Sequence, residues 1–225
     1  MLRLEAEWLG ERMARIPDND LFPLLDLGSS TLEYRTQTQP YIERNIFAPL
    51  RARGGIVYHL DMKPEPGVDV VGNLEDPDFR ARVSRMQVRS VLMSSLLHYL
   101  NSYSQVCEMV TSLLPAGGYL FVSGPYSHPH DADPIDTMFR PSIEEIHRCF
   151  PGTRMLDSAI IDGGNWRNWD AAERGGRSLG RTVLRLLAPF YRPEKWWQVA
   201  RQSPYIFRHV TACAVVLVKD EQISF

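Results

Sequence analysis

The sequence predicts an α/β fold with a mostly parallel sheet and helices on both faces. Short apolar runs alternate with stretches of helical periodicity, the pattern of successive βα units. The last apolar run, 210–218, is nearly continuous, as in a strand buried on both faces. Polar residues suited to binding recur just beyond the predicted strands, at 26–30, Asp61, Asn73 and Ser94. In such sheets ligands bind outside the C-terminal strand ends, near the point where strand order reverses.

The elements follow in order. A helix is predicted over 3–16, with Leu4, Trp8, Leu9 and Met13 at helical spacing. Pro17 and the polar residues after it break that helix, so 1–19 reads as an N-terminal helical segment. A buried strand over 22–27 ends at Gly28, and a helix over 41–53 ends at Gly54. Strands follow at 56–60, 69–71, 88–93 and 119–123, with helices at 77–86 and 102–114 between them. Residues 124–141 form a long loop rich in Pro, His and Asp. Ser142 and Glu145 form a capping box that opens another helix, and strands at 155–161 and 210–218 close the sheet.

The 225 residues suffice for one α/β domain spanning 1–225, without disulfides. The net charge of -2 lacks the basic excess of a general nucleic-acid binder, so no nucleic-acid partner is expected. Cys107, Cys149 and Cys213 are odd in number and form no C-x-x-C pair, which suits reduced thiols in a cytoplasmic protein. The N-terminal residues are partly acidic, unlike a signal peptide, and no apolar run reaches the roughly 18 residues of a spanning helix.

The loop at 28–31 carries one glycine of the G-x-G-x-x-G that would seat a pyrophosphate, and no Gly-Lys-Ser/Thr ending. A nicotinamide-dependent oxidoreductase is therefore disfavoured, and the loop suits a ligand without a pyrophosphate. Asp61, at the end of the second strand, can accept both hydroxyls of a ribose. The Asn73 amide can pair with an adenine edge, and Leu74 can lie on the ring. Glu75 and Asp76 read as a solvated face.

In this order and spacing the chain resembles the class I S-adenosylmethionine-dependent methyltransferases. The resemblance is carried by Leu24-Leu25-Asp26-Leu27-Gly28-Ser29-Ser30, by 57–61 ending in Asp61, and by 69–74 with Asn73 and Leu74. It continues through 91–100 and through Leu113-Leu114-Pro115-Ala116-Gly117-Gly118-Tyr119-Leu120, similar to the family's turn before the fifth strand. It covers roughly 20–160. The 125–141 loop is similar to loops in a bacterial branch of the family, some members of which are associated with cell-surface glycans.

The resemblance implies a Rossmann-like sheet whose last strand is antiparallel. It implies S-adenosylmethionine held by Asp26, Gly28, Ser29, Ser30, Asp61, Asn73, Leu74 and Ser94, and methyl transfer to a small molecule such as a sugar or lipid-linked glycan. A non-catalytic methyltransferase-like binding module is the alternative. The chain departs from the family pattern where Ser30 replaces the second glycine, a substitution that fits if φ there is negative. Asn73 also stands where an acid is common. The 35-residue separation of Asp26 and Asp61 exceeds the spacing of about 20 in dinucleotide folds. The extra residues, around 31–43, are expected to form a lid.

Methyl transfer needs alignment and, for many acceptors, removal of a proton. His128 and His130 follow the fifth strand on the methyl side, and an imidazole titrates near neutrality, so both are candidate bases. Asp131, Asp133 and Asp136 can orient them or bind substrate hydroxyls. Metal coordination is not expected, since the spacing of His128, His130, Asp131 and Asp133 fits no standard site.

Residues 165–208 read as a helical and aromatic insertion that caps the substrate side. Within 177–192, Leu179, Val183, Leu186, Leu187 and Phe190 share one helical face, and Arg177, Arg181 and Arg185 another. Such a helix packs on its own domain or in a homodimer. Its basic face, with the aromatic and basic residues up to 208, also suits peripheral contact with an anionic inner-membrane surface.

Overall fold

The computed structural model describes residues 1–129, 135–165, 196 and 208–220. Among them seven strands form one sheet, β1 Leu24–Leu27, β2 Val57–Asp61, β3 Val70–Val71, β4 Ser90–Ser94, β5 Tyr119–Pro125, β6 Thr153–Asn165 and β7 His209–Lys219. Their order across the sheet is β3-β2-β1-β4-β5-β7-β6. The pairings β1–β2, β1–β4, β2–β3 and β4–β5 are parallel, and β7 runs antiparallel between β5 and β6. Each predicted strand is present, with ends shifted by a few residues and β6 extended most, at both ends. The chain builds outward from β1 to β3, then crosses back to β4, so strand order reverses between β1 and β4.

Alternation along each strand divides the apolar residues between two cores. On one face Leu25, Leu27, Val91, Met93, Leu120, Val122 and Val215 pack with α5 (Pro77–Val83), α6 (Tyr103–Leu113) and α7 (Ile143–Arg148). On the other, Leu24, Leu92, Phe121 and Val216 pack with α1 (Arg3–Met13), α2 (Asp18–Leu21), α3 (Pro40–Ile42) and α4 (Ala48–Ala52). Ser142 starts α7 by accepting the Glu145 N–H at 3.2 Å, while Glu145 accepts the Ser142 N–H at 2.8 Å, the predicted capping box.

Several local expectations are corrected. The buried stripe of α1 is Ala6, Leu9 and Met13, with Glu5 beside it, whereas Leu4 faces outward. Residues 31–43, expected as a lid, form helical turns with Arg35 and Ile42 turned inward. Tyr34–Thr38 and Glu43–Phe47 are π-helical turns flanking α3, and Arg35, Ile42, Ile46 and Phe47 are buried beneath the sheet edge. The extra length is taken up by packing, because each turn of this segment places a large side chain inward. Glu75 is no solvated ornament, since its Oε1 accepts the N–H groups of Asn101 at 2.9 Å and Ser102 at 3.2 Å. Asp76 caps α5 by accepting the Asp78 N–H at 2.9 Å.

No described helix is long and apolar enough to cross a membrane. The three cysteines are free thiols. The expected basic helix at 177–192, with its membrane and dimer roles, lies outside the described residues.

Candidate cofactor and acceptor site

The site is built at the C-terminal edge of the sheet, where β1 and β4 part. All four residues of β1 are buried, so the chain emerges from a rigid base. Gly28 then takes φ +73, a left-handed conformation that glycine adopts without steric cost. A Cβ at Gly28 would also lie 2.9 Å from Leu96 Cδ1, so the loop after β4 rests directly on this turn. The N–H groups of Gly28 and Ser29 both donate to Leu60 O, at 2.8 and 3.0 Å.

Ser30 has φ 55, contrary to the negative value its sequence suggested. Its N–H donates to Asp61 Oδ2 at 2.8 Å, and Asp61 Oδ1 accepts the Lys63 N–H at 3.1 Å. The first loop and the end of β2 are thus joined through Asp61, which is half-buried and keeps further acceptor lone pairs on both oxygens. Arg35, which sequence reasoning missed, lies under this loop with 2% of its surface exposed. Its guanidinium donates to Ser29 O, Ser30 O and Gly67 O. Burial pushes its pKa down, and the nearby carboxylates of Asp26, Asp69 and Asp61 oppose that shift. A buried arginine has no spacing signature, so the sequence offered no sign of it.

Asp26 pairs with the neighbouring strand. Its Oδ2 lies 2.8 Å from His59 Nδ1, directly across the β1–β2 pairing. Phe47 meets the His59 ring edge to face, with centroids 4.7 Å apart. Register alone could have suggested this pair, since both residues precede predicted strand ends.

Asn73 is exposed, and its Oδ1 accepts the Glu75 N–H at 2.9 Å, so it shapes the turn after β3. Leu74 is 5% exposed and belongs to the core, so it supports the turn from below instead of offering a face to a ring. Ser94 ends β4 at the level of Gly28. Its Oγ accepts from Ser123 Oγ at 2.8 Å and donates to Glu5 Oε1 at 3.4 Å. Glu5 was also missed, and it brings α1 to the same edge while capping its own helix through the Leu2 N–H at 2.8 Å.

The acceptor side begins at the end of β5. Tyr126 and Ser127 continue the pairing with β7, their N–H groups donating to Thr211 O and Thr211 Oγ1. His128 Nδ1 lies 2.9 Å from Pro129 O, a contact in which Nδ1 is the donor. His130, Asp131 and Asp133 lie outside the described residues. Asp136 is buried and held bidentately by Arg140 at 2.9 and 2.6 Å. Thr137 returns to the loop after β4, donating through N and Oγ1 to His98 O at 2.9 and 3.0 Å. His209, at the start of β7, pairs with Asp162 at 2.5 Å, where that partner and the Gly164 N–H hold the Asp162 carboxyl below its usual range.

No protein-family model and no curated protein sequence matches this chain. Solved structures do. A protein assigned as a sarcosine dimethylglycine methyltransferase from Galdieria sulphuraria superposes with TM-score 0.57 at 12% identity, over 96% of this chain and 86% of its own. A S-adenosylmethionine-dependent methyltransferase from Geobacter sulfurreducens, in complex with S-adenosyl-L-homocysteine, gives 0.51 at 16%, over 96% and 90%. The cyclase SpnF gives 0.53 at 14%, over 95% and 80%. These likenesses, together with the strand order β3-β2-β1-β4-β5-β7-β6, show that the chain has the class I S-adenosylmethionine-dependent methyltransferase fold.

Proposed function

We propose that this protein is a S-adenosylmethionine-dependent methyltransferase acting on a small molecule, with a sugar or lipid-linked glycan as the acceptor class. The observation that carries the reading is the bond from Ser30 N–H to Asp61, which joins the ends of β1 and β2 beside the strand-order reversal. It sets a half-buried carboxylate beside a turn whose Gly28 has no side chain, an acceptor that suits ribose hydroxyls on a loop lacking the further glycines of a pyrophosphate cradle. Asn73 is exposed at the adjoining turn, where its amide nitrogen can meet an adenine edge.

When bound, S-adenosylmethionine supplies an electrophilic methyl group. Gly28 and Ser30 shape the backbone against which the cofactor lies, and Asp61 orients the ribose. Ser94 presents a hydroxyl whose direction is set by Ser123 and Glu5. His128 is the candidate base for the acceptor proton, and its Nδ1 contact with Pro129 O orients the ring. Thr137 fastens the segment that holds Asp136 to the loop after β4 through His98 O.

A second reading, a methyltransferase-like module that binds without transferring a methyl group, is favoured by one observation. Ser30 occupies a conformation in which glycine is the unstrained residue. The named reaction of SpnF likewise shows that the fold does not dictate methyl transfer. Calorimetric titration with S-adenosylhomocysteine tests the site, and binding is expected with a rise in melting temperature. No heat and no stabilisation at ligand concentrations in the millimolar range removes the enzyme reading, and stabilisation by NADH instead replaces it with an oxidoreductase.

A further inference from the structure

We infer that Arg35 is a positioning residue that holds the cofactor loop in its left-handed conformation, doing for Ser30 what a second glycine does by having no side chain. The inference rests on the reading of this loop as the S-adenosylmethionine site.

The geometry is specific. Arg35 Nη1 donates to Ser29 O at 3.0 Å and to Ser30 O at 2.9 Å, while Nη2 donates to Gly67 O at 2.7 Å. In an extended chain consecutive carbonyls point to opposite sides. Two consecutive carbonyls can meet one nitrogen only if the backbone between them turns, and here the turning residue is Ser30, with φ 55. The Ser30 N–H is held from the other side by Asp61 at 2.8 Å. Ser30 is therefore gripped through both of its peptide groups, by an anion at its N–H and a cation at its carbonyl. A serine left to itself in this region drifts back to negative φ, because its Cβ crowds the following carbonyl.

The third contact ties this loop to the connection between β2 and β3. Gly67 has φ +82, and a Cβ there would fall 2.6 Å from Leu32 Cβ and 2.9 Å from Arg35 Nη2. The two loops touch through backbone on both sides of the guanidinium, with Leu32 N–H donating to Pro66 O at 2.9 Å beside it. Asp69, from the same connection, accepts the His59 N–H at 2.8 Å. Arg35 thereby joins the turn that would cradle the cofactor to the segment leading to Asn73. The guanidinium spreads its three contacts over two nitrogens, Nη1 and Nη2, which the single nitrogen of an ammonium cannot do, so lysine is a partial replacement.

The test uses the full chain with Arg35→Met and Arg35→Lys, each in the Ser30 and the Ser30→Gly backgrounds. It reads S-adenosylhomocysteine affinity by calorimetry, Ser30 amide hydrogen exchange without ligand, and melting temperature. Arg35→Met is expected to weaken affinity about tenfold or more and to speed Ser30 exchange, with Arg35→Lys intermediate. Ser30→Gly is expected to restore most of the lost affinity to Arg35→Met, because glycine holds the left-handed conformation unaided, and so to act differently in the two backgrounds, a non-additive result. Unchanged Ser30 exchange in Arg35→Met, or equal effects of Ser30→Gly in both backgrounds, overturns the inference. If Arg35→Met does not fold, the same comparison with Arg35→Lys decides it. If the parent binds no S-adenosylhomocysteine, the functional reading fails, and the exchange measurement alone decides whether Arg35 holds the loop.

Discussion

Asp26 and His59 face one another across the β1–β2 pairing, with Oδ2 2.8 Å from Nδ1, and their side chains are only 6% and 12% exposed. Removing the imidazole leaves a buried carboxylate without its hydrogen bond. His59→Leu is expected to lower unfolding stability by about 3 kcal/mol, the cost of orphaning one member of a buried pair. Asp26→Asn, which keeps a side-chain acceptor for His59, is expected to cost less. Urea unfolding of the two variants and of the double variant measures this. A double variant whose cost is the sum of the two singles would show that the pair is energetically idle.

Asp61 holds the Ser30 N–H and is the residue read as the ribose acceptor. Asp61→Ala is expected to weaken S-adenosylhomocysteine binding by about 1–3 kcal/mol, the worth of charge-assisted hydrogen bonds. Calorimetry reads the change directly, and an unchanged affinity would show that the adenosine lies elsewhere.

Asp136 is fully buried and clamped by Arg140 through two contacts, while its Oδ1 also accepts the Met138 N–H at 2.9 Å. Asp136→Ala is expected to destabilise the fold by about 3 kcal/mol, because it leaves a mostly buried guanidinium without its counter-charge. Hydrogen exchange in 135–140 is expected to rise with it, since this pair fastens the loop that Thr137 ties to His98. A variant with native melting temperature and native exchange contradicts this account.

Asp162 and His209 make the opposite case, a short but solvent-exposed pair, with side chains 53% and 59% exposed. The Asp162 carboxyl is held below its usual pKa, first by His209 and then by the Gly164 N–H. A depressed folded-state value means that its stabilising effect is present above the ordinary carboxylate range and is lost as pH falls through the lowered value. Because water and salt screen the pair, the effect on stability is expected to be small. His209→Gln is expected to return the Asp162 titration toward its ordinary range, as read by carboxyl NMR shifts, with little change in unfolding at neutral pH. An unmoved titration would assign the shift to Gly164 alone.

Much of this molecule was legible along the chain. Apolar runs near 24–27, 90–94 and 119–125 announced buried strands, and Ser142 with Glu145 announced a helix start, because such signals depend on neighbours only a few residues away. The same locality made Gly28 and Asp61 recognisable, as each follows a strand that the pattern defines. What the chain could not display were contacts set by the stacking of distant segments. Leu74 became core because α5 and α6 close over it, and 31–43 became packed helix because Arg35, Ile42 and Phe47 found space beneath the sheet. The sign of φ at Ser30 was decided by Arg35 and Asp61, one on the following helical segment and the other on β2. Local sequence determined the elements and the edge of the sheet at which a ligand would bind. Tertiary structure decided the conformation of the loop at that edge, because a strained backbone persists only where distant groups hold it in place.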